Sequence, residues 1–598
     1  MTDHGEGWFT LFPDCEAALA VASRMVTRAA RTIAHPSGNP FILGDWLTSV
    51  QARNGHGLFV ALIGHTPVGQ RELEAHIADV RDIDALDRLT ARLPGDFHAV
   101  VEAHGEIHAR GTAGGLRRLF HATVGAAVTV SANRADTLAR LLDAPLDEDM
   151  LALRLLDFVP HPLGDVPLWR GVHAVVPGDL LRFGRGRTGT VRWWEPPHNH
   201  VPLVEGAEAL REALDDAVRF RVAAAETVSC DLSGGLDSTT ICALAARASA
   251  EPLPALTMPS RDIGDDDVHW ARLAASEIDG LEHILLGIDE IPLFYSGLLD
   301  VTGPVDEPLP TIIDQPRQLV GHDGLLARGS RLHFTGMGGD HVLWGHPAHH
   351  RDLLTTRPLK ALRSIRGYRA QNRWSLRETV SVLTDRRPYG QWLADTADRI
   401  TAPRPAPHSP DVFAWDIPPR LPTWVTPDAA DSVRRKLREA AATAEPRGAT
   451  HALHNELQTL HHGTRATRVL HQVAEHSGLP LASPFLDDRV ITACWSVRSE
   501  ERTTPWEFKP LLKTAMRGHV PDALLRRTTK GEASVDAANG LRENRVRLAE
   551  LWRESHLAKA GLVDAERLVD ITLRPSSPEL RHGGLDATLA CEIWLRTI

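Results

Sequence analysis

The chain has 598 residues, too many for one ordinary core, so about two to four domains are expected. A hydrophobic share of 43% and a charged share of 24% are those of a globular protein in water, and a formal net charge of −11 excludes a general nucleic-acid binder, which needs a basic surface. No run reaches the ~20 apolar residues that cross a bilayer. Residues 1–6 lack the basic-then-apolar order of a secretory signal. The five cysteines, Cys15, Cys230, Cys242, Cys494 and Cys591, are scattered and odd in number, which sets up neither a disulfide framework nor a paired zinc site. A cytoplasmic protein is expected.

The first 200 residues carry short β-type runs between turns, with strands at 97–102 and 127–130. Runs 179–183 and 190–194 flank a glycine-rich turn, 184–189, that spells G-x-G-x-x-G. A dinucleotide fingerprint requires a following helix, whose N-terminus carries the pyrophosphate. A tryptophan-bearing β segment follows instead, so the stretch reads as a hairpin turn. Pro196, Pro197 and Pro202 mark a linker, dividing the chain into 1–200 and 205–598.

Beyond the linker strands and helices alternate. Leu210, Leu214 and Val218 share a helix face. Strands are predicted at 227–232, 253–258, 283–288 and 332–335, and helices at 239–247 and 268–279. This alternation implies a doubly wound parallel sheet that binds ligands at the carboxyl ends of its strands. Residues 350–480 read as mostly helical, interrupted by a proline-rich stretch at 403–422. Thr426, Pro427 and Asp428 have the chemistry of a helix start.

Two loops carry the chemistry. Asp231, Leu232, Ser233, Gly234, Gly235, Leu236, Asp237 and Ser238 join a strand to a helix. Adjacent glycines let backbone amides approach a phosphate, the helix N-terminus favours an anion, and the two serines can donate hydroxyl hydrogen bonds. Asp237 would repel phosphate without a divalent cation between them, which argues for magnesium. A serine-capped glycine turn would share this composition, and no lysine follows to make a Walker loop. About a hundred residues later Thr335, Gly336, Met337, Gly338, Gly339 and Asp340 again follow a strand.

The first loop matches the S-G-G-x-D-S loop of the ATP pyrophosphatases, and the set resembles the asparagine synthetase family. Its G-x-G-x-D loop is matched by Gly336 to Asp340, its D-E-P by Asp306, Glu307 and Pro308, its P-F-L-D by Pro484, Phe485, Leu486 and Asp487, its K-x-L-L by Lys509 onward, and its R-x-x-K by Arg527 to Lys530. The resemblance spans most of 205–535. It implies ATP and Mg2+ as cofactors, Asp237 and Asp340 as metal ligands, and Lys530 stabilising charge as the tetrahedral intermediate forms. From topology, Leu232, Met258 and Gly336 are expected near adenine. Segments 93–97, 111–119 and 177–194 loosely resemble the family's glutaminase half, an Ntn-type β-rich domain. That half needs an N-terminal cysteine, and Thr2 stands at the second position here, so it is expected to be a structural relic.

Asparagine synthetases carry glutamate at the second position of the second loop and β-lactam synthetases tyrosine. Met337 can neither accept nor donate a proton. In the segments Trp424 to Pro427, Pro484 to Val490 and Lys509 to Gly531 the chain is more similar to the actinobacterial lasso-peptide cyclases, which resemble asparagine synthetases of about this length with a degenerate glutaminase half. That resemblance implies adenylation of an Asp or Glu side chain of a leader-cleaved precursor peptide. The peptide's own N-terminal amine then closes a macrolactam, with a leader-binding protein and a leader peptidase as pathway partners. An amide synthetase acting on a small carboxylate is the alternative, and a non-catalytic scaffold is the competing class. The histidines at 346, 349, 350, 451, 454, 461 and 462 read as chance clusters rather than zinc ligands. Arg357, Lys360, Arg363, Arg366 and Arg369 read as a solvated basic stripe, with an acidic partner as the lesser reading.

Overall fold

A computed structural model describes residues 7–598 except 126, 301–302, 405–408, 532, 575 and 581–583; Thr2 and part of the proline-rich stretch lie outside the described residues. The N-terminal part is β-rich. One antiparallel sheet runs in the order Val172–Ala174, Phe120–Val124, Val128–Ala132, Trp8–Leu11, Pro40–Asp45, Arg31–Ala34. The other runs Arg187–Arg192, Asp179–Gly184, Glu106–Arg110, Asp96–Ala103, Phe59–His65, Ser49–Arg53. Alternation along the strands sends Phe9, Leu11, Phe41, Val100, Ile107 and Phe183 into the space between the sheets. The Asp96–Ala103 strand is buried on both faces, because Ala99 and Val101 point the other way, onto helices Gln70–Ile77 and Ile83–Thr90. The outer face of the first sheet is covered in turn by helices that contribute Ala18, Val21 and Leu138. The result is helix, sheet, sheet, helix in layers.

The expected hairpin is present, with a shorter turn. Gly184 pairs with Arg187, and Arg185 and Gly186 both take positive φ (49° and 72°), which suits a two-residue turn between right-twisted strands. No helix follows.

The C-terminal part is built on a five-stranded parallel sheet in the order Leu281–Leu285, Leu253–Thr257, Val228–Asp231, Leu332–Phe334, Leu481–Ala482. Chain order runs outward to one side of Val228–Asp231 and then to the other, so loops leaving Val228–Asp231 and Leu332–Phe334 part in opposite directions and leave a crevice at the strands' carboxyl ends. Two expectations need correction. The helix after the first strand is Leu236–Ala248, three residues earlier than predicted, because extended Gly235 serves as its N-cap. The 283–288 strand is Leu281–Leu285: Gly280 turns the chain in early and Gly287 turns it out. Leu481–Ala482 has too few residues to carry a periodic signal.

Helix Leu203–Ala224 buries Leu210, Leu214 and Val218 as its periodicity predicts. The region 350–480 is largely helical, and Thr426 caps Pro427–Ala441 by accepting from the Ala429 N–H. The 26-residue helix His451–His476 runs beneath the second loop. Both halves share a core, in which Trp169 meets Trp594 at 5.4 Å. Among the described residues no helix is long and apolar enough to cross a membrane.

Candidate functional site

The first loop is shaped by its glycines and serines. Gly234 has φ +82°, and a Cβ there would strike the Asp267 carbonyl oxygen. The Ser233 N–H donates to Ser238 Oγ (3.2 Å), the two hydroxyls lie 2.8 Å apart, and the Gly235 N–H donates to Ser233 Oγ (3.3 Å). The loop therefore closes on itself and aims the open amide end of Leu236–Ala248 at the crevice, a favourable place for an anion. The early helix start puts Asp237 in the first turn.

The second loop packs directly on the first. A Cβ on Gly336 would lie 2.6 Å from the Ser238 backbone nitrogen, and one on Gly339 would lie 2.5 Å from the Asp237 carboxylate. This approach brings Asp340 and Asp237 to one ammonium group: buried Lys509 binds Asp237 and lies 2.6 Å from Asp340. Lys530, mostly exposed, reaches Asp340 at 3.0 Å. Burial raises the Asp237 carboxyl above its ordinary value despite Lys509. Burial also pushes Asp340 upward, but Lys509 and Lys530 outweigh it and bring that carboxyl down to about 2. Phe508 lies under both lysines, its ring centroid 5.0 Å from the Lys509 ammonium and 5.9 Å from that of Lys530.

Arg527 fastens the far wall. It donates to the Gly234 carbonyl (2.8 Å) and pairs with Asp266 (2.6 Å) and Asp267. The cleft so enclosed measures about 330 Å3. The donor set fits a hard divalent cation: two carboxylates from separate loops converge, and Asp237 Oδ1 is buried without a hydrogen-bond partner.

Of the residues singled out from the sequence, Ser233, Gly235, Asp237, Ser238, Gly336, Asp340 and Lys530 line this cleft, and Gly234 forms the turn behind it. Leu232 is fully buried, its N–H bonded to Leu256 and its carbonyl to Thr257, with its side chain in the core. Met258 is half-buried just beyond its strand and is not among the lining residues. Met337 lines the cleft and packs on the cluster of Leu470, Ala474 and Leu481. Lys509, Phe508, Arg527 and Asp231 were not assigned roles from the sequence. Only the segment resemblance around Lys509 and Arg527 signalled two of them.

The remaining segments are structural. Glu307 sits between Arg465 and Arg468, and Asp487 pairs with buried Arg221 at 2.6 Å. Asp488 accepts the Ala113 N–H (2.8 Å), joining the two halves. His454, His461 and His462 are all pushed below the ordinary histidine value by burial. Among the described residues the one cluster of three such side chains spaced for a metal is Asp84, Asp87 and His108, where Arg182 already pairs with Asp84 at 2.7 Å. In the basic stripe Arg357 pairs with Glu500 (2.8 Å) and Arg363 stacks over Trp506 (5.1 Å).

A doubly wound sheet with a glycine loop, two carboxylates and two lysines at its switch point defines an anion-binding α/β class. The Asparagine synthase family pattern matches residues 209–596, and the chain belongs to that family. It is similar to putative glutamine-hydrolysing asparagine synthetases of Mycobacterium bovis and Mycobacterium tuberculosis, 26% identical over 446 residues, covering 70% of this chain and 63% of theirs. The chain thus spans somewhat under two thirds of those relatives' length. Among solved structures it is similar to an NH3-dependent NAD synthetase from Campylobacter jejuni, at 21% identity, covering 23% of this chain and 60% of that one with a TM-score of 0.18. It is also similar to a glutamine phosphoribosylpyrophosphate amidotransferase from B. subtilis, at 11% identity, covering 58% and 78% with a TM-score of 0.22.

Proposed function

We propose that the chain is an ATP-dependent amide-forming ligase that activates a carboxylate by adenylation, releasing AMP and pyrophosphate. The observation that carries this reading is the meeting of Asp237 and Asp340, from loops on either side of the switch point, at Lys509 beneath an open helix N-terminus. Asp237 and Asp340 would hold Mg2+, which supplies neutralisation of the pyrophosphate charge. The first-turn amides of Leu236–Ala248 and the Ser233 and Ser238 hydroxyls would bind phosphate oxygens. Lys509 and Lys530 hold positive charge where the leaving group and the tetrahedral intermediate gain negative charge.

Within that class the substrate we propose is a leader-cleaved peptide whose Asp or Glu side chain is adenylated and then attacked by its own N-terminal amine, forming a macrolactam. Met337 supports this over the small-carboxylate reading, since it offers no acid or base where the resembling asparagine and β-lactam synthetases carry one. Holding amine and acyl group in one cleft replaces a bimolecular encounter. A leader-binding protein and a leader peptidase would supply that peptide.

With ATP, Mg2+ and a synthetic peptide bearing a free N-terminus and one acidic side chain a few residues along, chromatography should find AMP, pyrophosphate and a product one water lighter. ADP and phosphate would sink the adenylation reading. A linear peptide beside an amidated small amino acid would select the alternative.

A further inference from the structure

Asp231 ends the central strand and lines the cleft, yet none of the chemistry above uses it. A carboxylate there is costly, since it repels phosphate and burial disfavours its charge. The fold nevertheless invests several side chains in it. Asp231 Oδ1 lies 3.0 Å from Nε2 of buried His333, whose Nδ1 lies 2.9 Å from the Ser229 hydroxyl, itself 2.7 Å from that of Ser330. With Nε2–H donating to Asp231, Nδ1 accepts from Ser229 and Ser229 accepts from Ser330, so one proton assignment satisfies the chain. Thr335 also bonds Asp231, and its hydroxyl accepts the Met337 N–H at 3.3 Å. Burial raises this carboxyl, but His333 and Thr335 outweigh it and hold it below the ordinary carboxylate value.

The Asp231 side chain remains 36% exposed, to the cleft. An ionised carboxylate oriented from behind and open in front is suited to a cation. Its holders, His333 and Thr335, belong to the strand and turn that lead to Gly336 and Met337, so it faces the second loop. That is the side where Met337 leaves the reaction without a proton acceptor.

We infer that Asp231 is the amine site of the cleft, binding the primary ammonium of the attacking nucleophile; this rests on the adenylation reading. The amine nitrogen forms a C–N bond to the acyl carbon, and the C–O bond to AMP breaks, its electron pair leaving with the phosphate. Relative to the ammonium two protons are lost. One leaves to water before attack, and the other passes to Asp231 as the C–N bond forms and the nitrogen becomes acidic. His333 is a positioning residue that aims the carboxylate.

The test separates activation from amide formation. Wild type and Asp231→Asn are compared for peptide-dependent exchange of labelled pyrophosphate into ATP, for trapping of the adenylate by hydroxylamine, and for ring closure of the synthetic peptide. Exchange and hydroxamate yield should stay within about twofold, which also shows the variant to be folded, while ring closure falls at least about 100-fold. His333→Gln, which keeps a donor toward Asp231, should lose less. Unimpaired ring closure in Asp231→Asn overturns the assignment alone. So does lost exchange with a raised KM for ATP, which would make Asp231 a nucleotide ligand. Absence of exchange in the wild type overturns the adenylation reading and this assignment with it.

Discussion

Glu307 is buried between two guanidinium groups, its carboxylate 3.0 Å from Arg465 Nε and also bonded to Arg468, which pairs with Asp306 at 3.3 Å. Replacing it with alanine leaves two buried cations without their shared partner. Glu307→Ala should lose about 3–5 kcal/mol in urea unfolding, and a loss near zero would show the cluster to be solvated. Burial alone would raise the Glu307 carboxyl, but Arg465 and Arg468 outweigh it and hold it well below its ordinary 4.5. Its contribution is therefore complete at neutral pH and fades as the pH falls below that value. Lys509 shows the same dependence on distant residues: it stands 272 positions from Asp237, and no local pattern places its ammonium between two carboxylates. By contrast Gly234 and Asp237 could be singled out from the local sequence, because glycine and acid at a strand end carry their chemistry there, and Asp340 through its loop's resemblance to the family.

At the scale of elements, the two loops act as one unit because their backbones touch. Gly336→Ala would set a methyl group 2.6 Å from the Ser238 nitrogen and push the loops apart by roughly 1 Å, enough to lower turnover about 100-fold with a modest change in thermal unfolding. Turnover and melting both matching wild type would show that the loops can give without consequence. Asp237 gains its position from an element boundary: with Gly235 extended as N-cap, the helix starts at Leu236 and carries the carboxylate in its first turn. The sequence periodicity began that helix three residues later, since Leu236, Asp237 and Ser238 read as loop by composition. Helices Leu203–Ala224 and Pro427–Ala441 were legible because an apolar face or a capping threonine with proline marks them. Leu481–Ala482 was not, because only its neighbour in the sheet makes it a strand.

Across the whole molecule the two halves meet through buried polar contacts as well as a common core. Asp488 on the synthetase side accepts the Ala113 N–H at 2.8 Å, and Thr464 Oγ1 donates to the Gly114 carbonyl at the same distance. Burial pushes the Asp488 carboxyl up to about 7, with Arg110 only partly offsetting it. The folded chain therefore holds a proton there that the unfolded chain has released, and stability falls as the pH rises from the ordinary carboxylate value to about 7. Asp488→Asn keeps the acceptor for Ala113 and removes the slope. Its stability relative to wild type should climb across that window by at most roughly 1.4 kcal/mol per pH unit, and a flat difference would place the carboxylate in solvent. The sequence by itself determined the alternation of strands and helices, the glycine loops and the carboxylates beside them. Those properties are written in neighbouring residues, through period, turn chemistry and capping. The tertiary structure alone decided that strand order reverses at Val228–Asp231, that Lys509 bridges Asp237 and Asp340, and that His333 aims Asp231 into the cleft. Each of these depends on which distant segments lie side by side, and that is set by burying one shared core rather than by any local preference.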